Sequence, residues 1–250
     1  MSAGIDTVRG WIGEAGRIVV LTGAGVSTES GIPDFRGPNG LWTRDPEAEK
    51  LSDIRYYIAD PEVRRRAWQK RIANPAWTAQ PNPGHRAIVE IERRGKLHAL
   101  ITQNIDGLHQ KAGTSPERII EVHGTMHEVL CWDCGWRGPM LPTLARVRSG
   151  EPDPDCTECG GILKSATILF GEGLGPGVME RAMAAAIEAD LLIAVGSTLQ
   201  VYPVAGVVPA AKSAGARLVI VNADATQFDR IADAVVREPI GQALPAMVGL

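Results

Sequence analysis

Long apolar runs are missing from this chain. Nothing approaches the ~18 uninterrupted apolar residues that a membrane span requires; the nearest stretch, residues 201–211, is broken by Pro203 and Pro209. No membrane partner is expected. The segment Met1-Ser2-Ala3-Gly4-Ile5-Asp6-Thr7 lacks both the basic start and the apolar core of a signal peptide, so a cytoplasmic location is the expectation. Excess charge is missing too. A net charge of −3 exerts no global pull toward nucleic acid or an anionic surface. There is no internal repeat, no low-complexity tract and no nucleophilic serine elbow. A hydrolase triad is not expected.

Cysteine is scarce, and its few copies are grouped. The chain has four, arranged as Cys131-x2-Cys134 and Cys156-x2-Cys159, in "CWDCGW" and "CTECGG". A glycine follows the second thiol of each pair and permits a tight turn. A cytosolic chain rarely keeps structural disulfides, so metal binding is the better reading. Four thiolates fill a tetrahedral zinc shell and leave no open position for substrate. The expected zinc is therefore structural.

What is present suits a globular protein of one large domain, or one domain carrying a smaller one. Hydrophobic residues make up 44% of the chain and charged residues 22%, enough to bury a real core. Apolar spacing predicts a helix over 4–16 and then the strand Ile18-Val19-Val20-Leu21. Residues 37–50 read as loop. Asp60 and Pro61 predict a helix start over 60–73, with Val63, Ala67 and Trp68 inward. Another helix begins at "PNPGH", residues 81–85, and closes at Gly95. Strands are predicted at 97–102, 118–124, 167–170, 191–195 and 218–221, with helices over 176–189 and 203–214. This alternation argues an α/β fold, a parallel sheet covered by helices on both faces.

Parallel sheets bind ligands beyond the carboxyl ends of their strands. Those ends carry Gly23-Ala24-Gly25, Gln103-Asn104-Ile105-Asp106, His123-Gly124, Phe170-Gly171-Glu172, Gly196-Ser197-Thr198 and Asn222-Ala223-Asp224. Glycines allow close backbone approach; amides and hydroxyls suit ribose and phosphate. Gly23 and Gly25 begin a dinucleotide fingerprint, but Thr28 stands where the third glycine belongs, and "GIPDFR" breaks a helix. The ribose-binding acid normally follows the loop by roughly 20 residues, whereas Asp224 lies near the far end of the chain. A hydride-transfer enzyme is disfavoured. His123 has two readings: a core histidine satisfied by a carbonyl, or a general base titrating near neutrality.

In this order, "GAGVSTESGIPDFRGPNGLW", "TQNIDGLHQKAG", "EVHG", the two cysteine pairs, "FGE", "GSTLQVYP" and "VNAD" resemble the motif series of the sirtuins, the NAD-dependent protein deacylases. The resemblance spans nearly the whole chain. It implies a Rossmann-like, doubly wound parallel sheet over 1–40, 81–128 and 163–250. A smaller helical plus zinc-binding domain would comprise 41–80 and 129–162. It implies NAD consumed as co-substrate and bound by the loop from Gly23 to Trp42, Thr28 included, with Gly23, Ala24, Gly25 and Ser27 toward phosphate and Asp34, Phe35 and Arg36 closing over the nicotinamide ribose. Gln103, Asn104, Ile105 and Asp106 would line the ribose and nicotinamide pocket, with Asn104, Asp106 and His123 as the catalytic set. Gly196, Ser197 and Thr198, then Asn222, Ala223, Asp224 and Ile240, would hold the adenosine half. Cys131, Cys134, Cys156 and Cys159 match the structural zinc ligands.

The implied reaction has an acyl-lysine carbonyl oxygen attack the ribose as nicotinamide leaves. His123 acts as base toward a ribose hydroxyl, and free lysine and O-acyl-ADP-ribose result. The partner is an acyl-lysine protein or peptide, with Phe170, Gly171 and Glu172 along its channel. Gly173-Leu174-Gly175 stands where the family commonly has proline, and Ser165 where "KP" is usual. Members that prefer acidic acyl groups carry Tyr and Arg three residues apart, and Trp68 and Arg71 occupy those positions here. Arg71 suits an acidic acyl group; alternatively Arg64, Arg65, Arg66, Lys70 and Arg71 form a solvated helix face. The tryptophan-bearing helix is similar to that of class II sirtuins. The rival readings are an ADP-ribosyltransferase on the same scaffold and a zinc-ribbon module for nucleic acid. Against the latter, residues 149–160 hold Glu151, Asp153, Asp155 and Glu158 but no Lys or Arg.

Overall fold

The computed structural model describes residues 4–35, 37, 40 and 50–250. Arg36 and Trp42 lie outside the described residues, as does most of the 37–50 segment. Helix α1 (Ile5–Glu14) leads into strand β1 (Ile18–Thr22). The 3-10 turn Ala24–Ser30 follows, where the sequence breaks the usual helix. After the undescribed segment come α2 (Ile54–Ala59) and α3 (Pro61–Ile72). Asp60 caps α3 by accepting from the Glu62 amide at 2.8 Å, with Pro61 in the first turn, as its sequence predicts. Helix α4 (Pro83–Arg93), strand β2 (Leu97–Thr102), helix α5 (Leu108–Ala112) and strand β3 (Ile119–Glu121) complete the first half.

The second half begins with β4 (Gly124–Cys131), β5 (Arg137–Pro139), α6 (Met140–Arg148) and β6 (Leu163–Thr167). It continues with α7 (Val178–Glu188), β7 (Leu191–Val195), α8 (Val207–Ser213), β8 (Arg217–Val221), β9 (Ala234–Val236) and α9 (Ile240–Val248). Six strands form a parallel sheet in the order β3-β2-β1-β7-β8-β9. In chain order within that sheet this is 3-2-1-4-5-6, the Rossmann order, whose direction reverses between β1 and β7. Strands β1, β7 and the last four residues of β8 are fully buried, because helices cover both faces. Val8, Ile12, Ala87, Ile88, Ala243 and Leu244 pack on one side of the sheet. Ala182, Ala186, Val207, Val208 and Ala211 pack on the other.

Two expectations need correction. The strand predicted at 167–170 is Leu163–Thr167, and it pairs antiparallel with β4 in a separate three-stranded sheet, β5-β4-β6. Its apolar continuation Ile168-Leu169-Phe170 is loop, tied by the Phe170 amide to Ser52 O at 2.7 Å and by the Ile54 amide to Phe170 O at 3.0 Å. An apolar run alone does not separate a buried strand from a loop laid across a second unit. The chain also continues beyond β8 into β9 and α9, where no element was expected.

The smaller unit has its own core. Trp68, Val129, Cys131, Met140, Leu144, Val147, Cys156 and Leu163 pack together. Arg64 fastens α3 to it. Its Nε donates to Asp153 at 2.8 Å and its Nη1 to the carbonyls of Tyr57 and Ile58, and the two charged side chains are only 12% and 18% exposed. This partner set contradicts a fully solvated arginine face. Arg64→Ala would strand Asp153 in a mostly buried setting and should cost about 3 kcal/mol. Denaturant unfolding, with hydrogen exchange localising the loss to α3 and residues 149–155, checks the value.

Candidate active site

The crevice opens where β1 and β7 part. The Gly25 amide donates to Gly196 O at 2.8 Å, and the Gly23 amide to Val195 O at 2.9 Å. A Cβ on Gly25 would lie 2.7 Å from Gly196 Cα, and one on Gly196, whose φ is +61°, would lie 2.4 Å from Val26 N. Both positions require glycine, and the two loops pack backbone to backbone. This is the cradle that the topology reserves for a dinucleotide. Gln103 Nε2 closes it from above by donating to Ser197 Oγ at 2.9 Å.

The loop after β2 supplies the polar floor. Asn104 is buried and donates through Nδ2 to Gly23 O at 3.1 Å and to Ser27 Oγ at 3.3 Å. Ser27 Oγ donates to Asp106 Oδ2 at 2.7 Å, while Asp106 Oδ1 accepts the Leu108 amide at 2.9 Å. Ser27, Asn104 and Asp106 thus form one network, and each is under a tenth exposed. Ile105 is half-buried, and its carbonyl accepts the Met126 amide at 3.0 Å. Thr28 is exposed and bonds back to Gly25 O at 2.9 Å, so its hydroxyl serves the turn itself.

His123 stands just past β3, after Val122, and is half-buried. Its Nδ1 lies 3.2 Å from Gln103 O, a carbonyl that can only accept, so Nδ1 carries the hydrogen and Nε2 is the basic nitrogen. Burial pushes the imidazole below the ordinary histidine range, and the bond to Gln103 opposes that shift. The ring is therefore in its basic form at neutral pH. Both readings of His123 meet in one geometry, since the carbonyl that satisfies one nitrogen orients the other.

Asp34 is half-buried and accepts the Gly37 amide at 2.9 Å, and Phe35 beside it is 39% exposed. Thr198 is half-buried at the end of β7. Asn222, Ala223 and Asp224 form the turn after β8, closed by Asn222 Nδ2 to Asp224 O at 2.9 Å. Arg237 escaped the sequence reading, yet its Nη1 donates to the carbonyls of Asn222 and Asp224 and shapes that turn. Ile240 is half-buried against the sheet core at the start of α9, whose Gly241 amide donates to Glu29 at 2.8 Å.

Across the cleft, Phe170 is 41% exposed and Glu172 half-buried. Glu172 accepts the Leu169 amide at 2.7 Å and pairs with Lys164 Nζ at 3.1 Å. Lys164 is 1% exposed, and burial pulls its ammonium below the usual lysine range against the pull of Glu172. A lysine inside "ILKSATILF" is the signal that could have flagged it. Trp68 is completely buried in the smaller core. Arg71 lies over the Trp68 ring at 4.9 Å and over the Tyr57 ring at 5.4 Å. His127, also passed over, holds Asp106 O at 3.0 Å through Nε2 and stands edge-on to Trp77 at 5.5 Å.

The four cysteines converge away from this crevice. Their Sγ atoms all lie within 4.8 Å of one another, with Cys131–Cys159 at 3.5 Å and Cys134–Cys156 at 3.9 Å. A tetrahedron with Zn–S of about 2.3 Å has edges of about 3.8 Å, so the donor set fits zinc. Gly135 and Gly160, one residue past the second thiol of each pair, both have φ of +74°, the left-handed turn their position requires. Among the described residues no other cluster of candidate ligands forms, and no helix is long and apolar enough to cross a membrane.

The model of the Sir2 family matches residues 23–203. NAD-dependent protein deacetylase 2 of Streptomyces coelicolor is 54% identical over 231 residues, covering 92% of this chain and 96% of that protein. NAD-dependent protein deacetylase 1 of Bradyrhizobium diazoefficiens is 43% identical over 251 residues, covering 100% and 97%. A solved complex of Sir2 with a p53 peptide and NAD+ aligns with a TM-score of 0.88 at 31% identity, over 99% of this chain and 98% of that one. Sir2Tm bound to a propionylated peptide aligns with a TM-score of 0.88 at 30% identity and the same coverage.

Proposed function

The chain belongs to the Sir2 family, and from that premise we propose that it is an NAD-dependent protein lysine deacylase. The observation that carries the reading is the crevice between β1 and β7. It gathers Gly23–Ser27, Gln103, Asn104, Asp106, His123 and Ser197 around a glycine-only backbone contact. NAD, when bound, supplies an activated ribose carbon whose bond to nicotinamide breaks. The main chain of Gly23, Ala24 and Gly25 faces the pyrophosphate. Gly196, Ser197, Thr198 and the Asn222–Asp224 turn take the adenosine side, with Ile240 against adenine. Asn104 and Asp106 orient the nicotinamide half, and His123 Nε2 accepts a proton from a ribose hydroxyl. Asp34 and Phe35 cover it.

The acyl-lysine peptide adds as a strand beside Phe170, Gly171 and Glu172. Two units flank it: a nucleotide-binding body, 1–40, 81–128 and 163–250, and a smaller unit, 41–80 and 129–162, to which the pairing of β6 adds residues 163–167. Cys131, Cys134, Cys156 and Cys159 hold structural zinc, and no nucleic-acid or membrane partner is proposed.

Acetyl-lysine is the first substrate to test, in line with the deacetylase names of the relatives. A second reading favours an acidic acyl group, because Arg71 Nη1 is buried without a hydrogen-bond partner among the described residues. The test measures nicotinamide release from NAD with acetyl-, succinyl-, lipoyl- and long-acyl-lysine peptides, using label in the ADP-ribose. Acyl-dependent release with label in a small acyl-ADP-ribose is the expected result. Label retained on protein would instead mark an ADP-ribosyltransferase, and no acyl-dependent release from any peptide would sink the proposal. Faster turnover of the succinyl peptide, abolished by Arg71→Met, would assign the acidic preference to Arg71.

A further inference from the structure

Beneath the cleft, α4 and α5 bury two histidines that no step above uses. His85 and His109 are 0% and 1% exposed, with ring centroids 4.8 Å apart. The Asn82 amide donates to His85 Nδ1 at 3.4 Å, so Nδ1 is bare and the hydrogen sits on Nε2. His109 Nε2 meets Thr22 Oγ1 at 3.0 Å, and Thr22 Oγ1 donates to Thr102 Oγ1 at 2.9 Å. A hydroxyl has one hydrogen. Since Thr22 directs it to Thr102, His109 Nε2 must be the donor and its Nδ1 is bare. The nitrogens left over, His85 Nε2–H and His109 Nδ1, are a donor and an acceptor, and neither has a partner among the described residues. No hydrogen bond joins the two rings: one arm runs from Asn82 to His85, the other from His109 through Thr22 to Thr102, and the arms meet where the rings pack.

The outer end of each arm reaches the cleft. Asn82 Nδ2 donates to Val26 O at 2.7 Å and to Ser30 Oγ at 3.0 Å, which pins the 24–30 turn. Thr102 Oγ1 accepts the Asn104 amide at 3.1 Å, and Asn104 returns to Gly23 O. Burial keeps both rings neutral: His85 is pushed down to about 4 and His109 well below the ordinary range. An apolar filling of the same shape would pack this space equally well, but it would set no direction. Directional bonds fix orientation as well as distance.

We propose that His85, His109 and Thr22 are positioning residues: two buried hydrogen-bonded arms, joined where the His85 and His109 rings pack, set the 24–30 turn and Asn104 relative to each other. The inference rests on the reading of that crevice as the NAD site. Thr22→Val keeps shape and removes the hydroxyl, stranding His109 Nε2–H. Its KM for NAD should rise about fivefold or more while KM for the acetyl peptide stays within about twofold. Thr22→Ser should restore the parent value at an equal thermal midpoint. In the unmodified chain, long-range 1H–15N spectra at pH 7 should show both rings neutral with hydrogen on Nε2, a measurement that needs no variant to fold. A parent-like KM in Thr22→Val, equal impairment of the valine and serine variants, or an Nδ1–H tautomer at either ring overturns the proposal. Calorimetry with NAD on the unmodified chain separates the two levels: no binding there overturns the NAD reading and this proposal with it.

Discussion

His123→Ala should lower kcat by about 10²–10⁴-fold, the usual worth of a positioned general base, while NAD still binds and the thermal midpoint barely moves. Binding survives because the cradle is built from Gly25, Gly196, Asn104 and Ser27, none of which bonds to the His123 side chain. Stability survives because the ring is half-buried, outside the hydrophobic clusters, and makes one side-chain hydrogen bond, to Gln103 O at 3.2 Å. A core histidine predicts the opposite pattern, a lowered midpoint with turnover kept among the folded molecules. Single-turnover formation of O-acyl-ADP-ribose and calorimetric NAD binding on the same preparation distinguish the two. Full turnover in the variant would remove His123 as base.

The pH dependence carries a sign that checks the same assignment. The base must be unprotonated to act, and burial lowers its pKa, so the acid limb of kcat/KM falls below the unperturbed value of about 6.5. Stability has its own acid limb. His85 is held neutral in the folded chain with a pKa of about 4, against about 6.5 unfolded. The unfolded state binds the extra proton, so this contribution is complete above pH 6.5 and is lost as pH falls toward 4, by about 3 kcal/mol. Initial rates paired with denaturant midpoints across that window separate loss of the base from loss of the fold.

What could be read from the sequence follows physical locality. Strands β2 and β7 match their expected bounds residue for residue, because continuous apolar runs ended by polar loops are local signals. The cap of α3 by Asp60 is equally local. The loops after β1, β2, β3 and β7 were legible because a parallel sheet brings its carboxyl ends together whatever the connections are. The partnership of β6 with β4 was not, since antiparallel pairing across an intervening zinc segment leaves no periodic trace. Lys164 and the His85–His109 pair were missed for a related reason. A polar side chain looks solvated until the tertiary fold decides what covers it: Thr22 is remote from His109 in sequence, and Glu172 reaches Lys164 only through the loop after β6. The arginine-rich face of α3 is the converse: Arg64 and Arg71 look like solvent-facing charges until Asp153 and the rings of Trp68 and Tyr57 are placed against them.

Stripping the metal should have the largest effect on stability. Structural zinc sites bind with about 10–16 kcal/mol at neutral pH, comparable to the whole stability of a typical domain, about 5–15 kcal/mol. Cys131 and Cys156, 1% and 4% exposed, pack directly with Trp68, Met140, Leu144 and Leu163, so the thiols are part of that core. With the metal gone, four thiols crowd within 4.8 Å and the turns at Gly135 and Gly160 lose their anchor. The parallel sheet has separate cores on its two faces and should stay folded. Loss should spread along β6 into residues 168–172, which are bonded to Ser52 and Ile54. A strong chelator, or Cys156→Ala, should therefore abolish amide protection across 124–167 and raise the peptide KM beyond measurement, while NAD binding persists. Elemental analysis should find one zinc per chain before treatment. Unchanged protection and turnover in chain shown to be metal-free would mean that the four thiols need no metal to hold this unit together.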